Sequence, residues 1–392
     1  MDTATPQRPW WSELGAVVPR SLSFARQATR PASGGGVPPL ASNPLAWATV
    51  AVDELAMSAA YLASRRSAAA VSESAVEDAA AAVERLRQAG VLDDPALAHP
   101  APPLHGAVRI SRRRRAGVDF EHVSFDSAYQ PPVDLPGSER WYDGASNQQA
   151  HAYVLRRDAE PRPWVVVLHG HRMGEPRDLR LLGSRRLQED LDVDVAHLVL
   201  PMHGPRSRVG AHPFPGIDPV ANFLGMAQAV WDARSLLTWL REQDAGRIGV
   251  FGVSLGGHVA ALMAGLDDSL ACVVAGVPTS DLATMLADTM RSRWGDSALA
   301  ASHVLDDNFR TLSRLVSPLA FAPRPPIDRR FLYAAVGDRL ITPQQALALW
   351  RHWEQPEILW LQGAHIVNNM GASRRFVIDV LARSGVTGRR ET

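Results

Sequence analysis

The sequence predicts an α/β fold, in which a mostly parallel sheet of about eight strands has helices on both faces. Three observations predict it. From residue 117 onward, short apolar stretches alternate with helical patterns, as in strands joined by helical crossovers. A serine flanked by glycines lies between one apolar stretch and an alanine-rich helix. Polar residues follow the ends of other strands, and the carboxyl ends of parallel strands form the binding edge of such sheets.

The composition limits the function classes that fit the chain. Its 392 residues, 46% of them hydrophobic, suffice for one large domain and a smaller extension. The 41 basic and 41 acidic residues give a formal net charge of zero, so a nucleic-acid partner is not expected. The single cysteine, Cys272, excludes disulfides within the chain. No lysine is present, which excludes Schiff-base chemistry.

The beginning of the chain has no apolar segment of the kind that secretion requires. The early apolar run, residues 44–63, contains Asp53 and Glu54 and therefore predicts a buried helix rather than an integral membrane segment. We expect a cytoplasmic bacterial protein.

Three regions are predicted along the chain. Residues 1–43, rich in Pro, Gly and Ser, predict a flexible leader. Residues 44–116 predict a helical hairpin and a linker, and the arginine run 112–115 predicts a solvated face. The hairpin could cover the active site, pack on the flank of the core or form a homodimer contact. Residues 117–392 predict the catalytic domain.

The catalytic domain contains an insertion that is longer than an ordinary connection between strand and helix. Residues 279–328 carry apolar side chains at loosely helical spacing, including Met285 and Trp294. They predict a helical lid whose apolar residues bind a hydrophobic group of the substrate.

The most informative segment is 247–260, which predicts a strand, a tight Gly-x-Ser-x-Gly turn and a helix. A Cβ at Gly252 or Gly256 would collide with the neighbouring backbone in such a turn. Ser254 would stand at the helix N-terminus, where free amides and the helix dipole favour negative charge. The segment therefore predicts that Ser254 is a nucleophile.

Two further strand ends supply the partners that a nucleophilic serine needs. Asp338 follows an apolar strand and precedes a Thr-Pro helix start, and His365 ends the next strand. An imidazole must remove the hydroxyl proton, and a carboxylate must orient the imidazole and stabilise its charged form. Asp281, beyond another apolar strand, is the alternative acid.

The order Ser254, Asp338, His365 and the strand Val165–Leu168 running into His169-Gly170-His171 resemble serine hydrolases of the α/β-hydrolase superfamily, over residues 117–386. Among them, the chain is most similar to the branch of dienelactone hydrolases, acetyl xylan esterases and prolyl oligopeptidases. The resemblance implies the α/β-hydrolase fold and an oxyanion hole formed by the amides of Leu255 and of His171 or Arg172. It also favours Asp338 over Asp281.

The resemblance implies a carboxylic ester hydrolase that forms an acyl-enzyme on Ser254 and acts on a small-molecule substrate without cofactor or metal. Thioesterase, acyltransferase and peptidase activities use the same residues and remain alternatives. A binding protein that keeps the fold without turnover is another. His169 and His171 also match the start of a metal-dependent hydrolase site. His203, Arg206 and Arg172 are candidates for substrate binding near the same edge, and structural hydrogen bonding in the loop is the alternative role of His203 and Arg206.

Overall fold

The computed structural model describes residues 10–30, 35–64, 73–102, 106–115, 117–142, 145–157, 160–207, 214–243, 245–367 and 370–389. Nine strands form one sheet: β1 (Arg109–Arg115), β2 (Val118–Asp126), β3 (Gln149–Leu155), β4 (Trp164–Leu168), β5 (Asp194–Val199), β6 (Ile248–Val253), β7 (Cys272–Gly276), β8 (Arg330–Ala335) and β9 (Glu357–Leu361). Their spatial order is β1-β2-β3-β5-β4-β6-β7-β8-β9. β1, β2, β3 and β5 pair antiparallel, and the strands from β5 to β9 pair in parallel.

Helices cover both faces of this sheet, as the sequence predicts. They are α1 (Trp10–Gly15), α2 (Val17–Ala28), α3 (Pro44–Ser64), α4 (Glu73–Gln88), α5 (Glu139–Tyr142), α6 (Asp178–Leu181), α7 (Ser184–Leu191), α8 (Pro219–Glu242), α9 (Leu255–Leu266), α10 (Leu282–Trp294), α11 (Asp296–Ala301), α12 (Asp307–Leu315), α13 (Pro343–His352) and α14 (Met370–Arg383). In β4, Val166 packs in the core shared with α8 and α9, whereas Val165 and Val167 pack in the core shared with α7 and α14. Because parallel strands are buried on both faces, they read as continuous apolar runs. The predicted fold class is confirmed.

Strand β1 is the additional strand beyond the eight predicted. It contains the arginine run 112–115, which is predicted to form a solvated face outside the catalytic domain. Every residue of β1 is exposed, and the strand pairs antiparallel with β2 through Arg113 and Phe120, among others. An edge strand without a buried face shows no apolar alternation, so the pattern gives no signal for it. The sheet therefore begins at Arg109, ahead of the expected boundary at residue 117.

The N-terminal region differs from the prediction in two ways. Residues 10–28 form α1 and α2 rather than a flexible leader, because Val17, Ser21 and Ala25 form a buried face. In addition, α3 and α4 do not form a hairpin. α3 packs against α2, whereas α4 packs on α8 and α12. None of the helices described is long and apolar enough to cross a membrane.

The insertion between β7 and β8 is helical, as predicted, and forms α10, α11 and α12. Its second half is not a separate lid, since Leu312 and Leu315 of α12 are buried in the main core. Ala283 and Ala287 of α10 pack in a smaller cluster with Phe309 of α12. α10 also begins in the main core through Leu282, so the remainder of α10 and α11 form the candidate lid.

Candidate active site

Ser254 occupies the tight turn between β6 and α9 that the sequence predicts. Its backbone has φ 58° and ψ −116°, a conformation that L residues rarely adopt. A Cβ on Gly252 would lie 2.0 Å from the carbonyl oxygen of Gly256, and one on Gly256 would lie 2.0 Å from that of Leu168. Glycine is therefore required on both sides. Positive-φ strain of this kind costs about 1–3 kcal/mol and is typical of functional sites.

The sheet topology brings His365 and Asp338 to this serine. β6, β8 and β9 run parallel, so the loops after them lie at the same edge. His365 Nε2 is 3.1 Å from Ser254 Oγ, and its Nδ1 is 2.7 Å from Asp338 Oδ2. Asp338 Oδ1 accepts hydrogen bonds from the amides of Leu340 (2.9 Å) and Ile341 (2.8 Å). The carboxylate is thus held by its own loop while it orients the imidazole.

The electrostatics of His365 favour its protonated form relative to an ordinary histidine. Burial lowers the pKa of His365, but the charge of Asp338 and its hydrogen bond outweigh burial and raise the pKa above the usual value. The Asp338 side chain is 2% exposed and that of His365 12%. Coulombic attraction is weakly screened at such depth.

The resemblance implies an oxyanion hole formed by two backbone amides, of which that of Leu255 directly follows Ser254 in the chain. Leu255 is the first residue of α9, where a backbone N–H has no partner within the helix. A Cβ on Gly170 would lie 3.5 Å from the Cβ of Ser254, so the loop carrying His171 approaches the serine closely. His171 is exposed, and its Nδ1 is 3.1 Å from the carbonyl oxygen of Phe214.

Asp281, the alternative acid, performs a different task in the structure. It is the N-cap of α10, where Oδ1 accepts from Thr284 N (3.0 Å) and Oδ2 from Thr284 Oγ1 (2.7 Å). Such caps satisfy the free amides of a first helical turn. The structure brings Asp338, and not Asp281, to His365.

His203 and Arg206 are buried, and their side chains make the structural hydrogen bonds that the sequence offers as the alternative to substrate binding. The guanidinium donates to Asp232 (2.7 Å) and to the carbonyl oxygens of Val199 (3.0 Å) and Asn147 (2.8 Å). His203 Nδ1 is 2.8 Å from the carbonyl oxygen of Pro201, and burial lowers the pKa of His203 to about 3. Both side chains stabilise the loop after β5.

Replacing Arg206 with Met is expected to lower the free energy of unfolding by about 3–5 kcal/mol, because it leaves the buried Asp232 carboxyl group without the cation that stabilises its charged form. Urea denaturation measures the change. Arg172→Met is the control, because Arg172 is exposed and surface changes lie within about 0.5 kcal/mol. Equal stabilities, with a raised KM for Arg206→Met alone, would restore the substrate-binding role.

The alternative of a metal site at His169 and His171 finds little support in the geometry. His169 Nε2 accepts from the amide of Leu200 (3.0 Å), and its Nδ1 is 2.8 Å from the carbonyl oxygen of Gly170. Both ring nitrogens therefore bind backbone. Within the described ranges, no group of three or more His, Cys, Asp or Glu side chains is placed to hold a metal ion.

The remaining substrate-binding candidates are Arg172, Met285 and Trp294. Arg172 is exposed at φ 63° on the loop after β4. Met285 lines a cavity of about 170 Å³ together with Phe24 of α2 and Leu340, two residues after Asp338. The side chain of Trp294 lies outside the described residues.

Sequence reasoning missed one acid of α3, Asp53, as a neighbour of His365 and Asp338, and it missed the anchoring of α3 by the next residue, Glu54. Asp53 accepts hydrogen bonds from the amides of His365 (2.7 Å), Ile366 (2.9 Å) and Arg339 (3.2 Å). Glu54 binds the guanidinium of Arg339 at 2.7 Å. The available signal was a pair of carboxylates in an otherwise apolar helix, since buried charges need specific partners.

Comparison with known proteins agrees with this geometry. The family model described as alpha/beta hydrolase domain containing 18 matches residues 216–311, which include Ser254. Two uncharacterized proteins from different Mycobacterium tuberculosis strains are 39% identical over 319 residues and 40% identical over 297 residues. The alignments cover 79% and 74% of this chain and 75% and 70% of the relatives.

A solved structure shows the same fold at low sequence identity. Acetyl xylan esterase 1 from a Thermoanaerobacterium species superposes with a TM-score of 0.50 and 15% identity, over 74% of this chain and 93% of the esterase. In this chain, the nine-stranded, mostly parallel sheet carries the Ser254 turn at the end of β6. The chain belongs to the α/β-hydrolase superfamily.

Proposed function

We propose that this hydrolase cleaves a carboxylic ester through an acyl-enzyme on Ser254. The observation that carries the proposal is the continuous hydrogen-bonded chain from Ser254 Oγ through His365 to Asp338. A serine hydroxyl is a weak nucleophile until such a base removes its proton. The strained turn presents the hydroxyl. In the neutral imidazole the buried carboxylate accepts the hydrogen of Nδ1, which leaves Nε2 as the acceptor directed at the hydroxyl.

The geometry supports an ordinary two-step reaction. Ser254 Oγ bonds to the acyl carbon while His365 Nε2 takes its proton, and the amides of Leu255 and His171 bind the oxyanion. His365 then protonates the leaving alcohol as the carbon–oxygen bond breaks. Water then bonds to the acyl carbon while His365 takes its proton. The bond between that carbon and Ser254 Oγ breaks, and His365 returns the proton to Oγ, which releases the acid and the free serine. Each oxyanion amide contributes about 3 kcal/mol in comparable enzymes.

The direct test is labelling of the folded protein with a fluorophosphonate, followed by turnover of p-nitrophenyl acetate, butyrate and octanoate. We expect labelling of the native chain and its loss in His365→Ala, because the imidazole activates the serine. A matched thioester and anilide separate the ester proposal from thioesterase and peptidase activity. A folded native chain that does not label would overturn the proposal in favour of a binding protein.

The pH dependence of kcat/KM provides an independent check. Because His365 must be neutral to take the serine proton, activity is expected to rise with pH. The midpoint is expected above the usual histidine pKa of about 6.5, since Asp338 favours the imidazolium. Steady-state rates between pH 4.5 and 9, in a constant-ionic-strength buffer, measure it. Activity that falls with rising pH across this range would contradict the role of His365 as the base.

A further inference from the structure

We infer that Asp53 of α3 is a positioning residue, whose carboxylate holds together the loops that carry His365 and Asp338. The inference rests on the serine hydrolase activity proposed above. It makes the N-terminal extension a part of the active site rather than a flank of the fold.

The contacts of Asp53 join two loops through one carboxylate. Oδ2 accepts from the amide of His365 (2.7 Å) and from that of Arg339 (3.2 Å), which directly follows Asp338. Oδ1 accepts from the amide of Ile366 at 2.9 Å. Since the loops after β8 and β9 share this acceptor, a shift of either loop breaks at least one bond. The separation between the imidazole and its carboxylate partner thus depends on α3.

The neighbouring acid of α3, Glu54, has partners of another kind. Contacts with the backbone of the loops that carry His365 and Asp338 are therefore particular to Asp53 and are not shared by both buried carboxylates of α3. Glu54 accepts from the guanidinium groups of Arg293 on α10 (2.8 Å) and Arg339 (2.7 Å), and Arg20 of α2 lies 3.5 Å away. Glu13 of α1 joins the same cluster through Arg20 and Arg293. Glu54 therefore anchors the helix among arginine side chains, whereas Asp53 binds backbone amides.

α3 is also held in place without Asp53. Ala46 and Val50 pack with Leu40 and with Val336 at the end of β8. Together with the cluster around Glu54, this packing keeps the helix on the sheet when the Asp53 carboxylate is changed. A substitution at Asp53 can consequently change the positions of the two loops while α3 stays packed on the sheet.

The charge of Asp53 adds to its geometric role. It faces Asp338 and Arg339 on one loop and His365 on the other, with Glu54 beside it on α3. Glu13, Arg20 and Arg293 lie behind Glu54. Burial and the charge of Asp338 raise the pKa of Asp53 to about 6, although the amides of Ile366 and His365 oppose them. Ionised Asp53 in turn favours the protonated form of His365.

Asp53→Asn, with Glu54→Gln as matched control, tests the inference. The asparagine side chain has the size of the carboxylate but carries no charge. Its NH₂ group replaces one of the two oxygens and faces a backbone N–H that donates to that oxygen in the native chain, so that hydrogen bond is lost. We expect kcat to fall by roughly 10- to 100-fold with KM nearly unchanged, since misplacement of a base by about 1 Å has effects of this size. The acidic limb of the pH profile should move to lower pH, because removal of the Asp53 charge lowers the pKa of His365.

Glu54→Gln makes the same chemical change one residue away. It is expected to lower the thermal midpoint of unfolding while leaving kcat and the acidic limb close to those of the native chain. Wild-type kcat and an unmoved limb in Asp53→Asn would overturn the inference. Equal changes of the limb in both variants would do so as well, since the effect would then belong to the buried charge cluster as a whole.

A measurement without turnover separates this inference from the proposed function. Histidine ¹³C resonances titrated by NMR report the pKa of His365, with His365→Ala identifying its signal. We expect the midpoint to be lower in Asp53→Asn than in the native chain. A shifted midpoint in a chain that hydrolyses no ester would contradict the serine hydrolase proposal but keep the placement of His365 by Asp53. An unshifted midpoint in an active enzyme would overturn the role of Asp53 alone.

Discussion

Ser254→Ala is expected to lower kcat for an ester substrate by on the order of 10⁶-fold, the loss seen when the nucleophile of another serine hydrolase is removed. The reason is geometric, because His365 Nε2 lies 3.1 Å from the hydroxyl oxygen of Ser254. Residual turnover would come from the oxyanion amides and substrate binding. Fluorophosphonate labelling of Ser254→Ala should be absent, and single-turnover kinetics with a p-nitrophenyl ester measure the rate.

Ser254→Gly distinguishes loss of the hydroxyl from a change of fold. Alanine keeps a Cβ at φ 58°, so the backbone strain of the turn persists, whereas glycine adopts this conformation freely. The glycine variant should therefore be equally inactive but more stable than Ser254→Ala by about 1–2 kcal/mol. Substantial labelling or turnover in either variant would mean that another residue is the nucleophile.

The site around Ser254 could be predicted because its determinants are local. Strand, turn and helix lie within one short segment, and the two glycines on either side of the serine are dictated by backbone collisions at 2.0 Å. Asp338 and His365 were predicted from their positions after apolar strands. The parallel order of β6, β7, β8 and β9 then brings these strand ends to one edge.

The rest of the site depends on contacts that no local pattern encodes. Asp53 and His365 are 312 positions apart, and they meet because α3 packs on the end of β8 and is held there by the arginine side chains around Glu54. β1 was missed because an exposed edge strand needs no apolar face. For Arg206 the sequence leaves substrate binding and structural hydrogen bonding open, because its buried partner, Asp232, lies on α8, 26 positions away in the chain. Contacts between residues far apart in the chain place Asp53 and Arg206, whereas β1 lacks the apolar pattern by which a strand is predicted.

Asp338→Asn is expected to lower kcat by roughly 10⁴-fold, with little change in KM. An amide at this position can donate to His365 Nδ1, which then holds the wrong tautomer and presents a protonated Nε2 to the serine. The amides of Leu340 and Ile341 continue to hold the side chain through its remaining oxygen. The fold should persist, since one buried charge is removed and two of the three hydrogen bonds are kept. Steady-state kinetics and the fluorophosphonate labelling rate measure the effect.

Asp281→Asn is the matched control, because Asp281 is the other acid that follows a strand of the sheet. Its carboxylate caps α10 through Thr284, and asparagine is an equally good N-cap. We therefore expect kcat within about threefold of the native value and a loss of stability below about 1 kcal/mol. The reverse result, with Asp281→Asn inactive and Asp338→Asn active, would assign the acid to the loop after β7. It would also require that α10 move, because the Asp281 carboxylate now faces its own helix rather than His365.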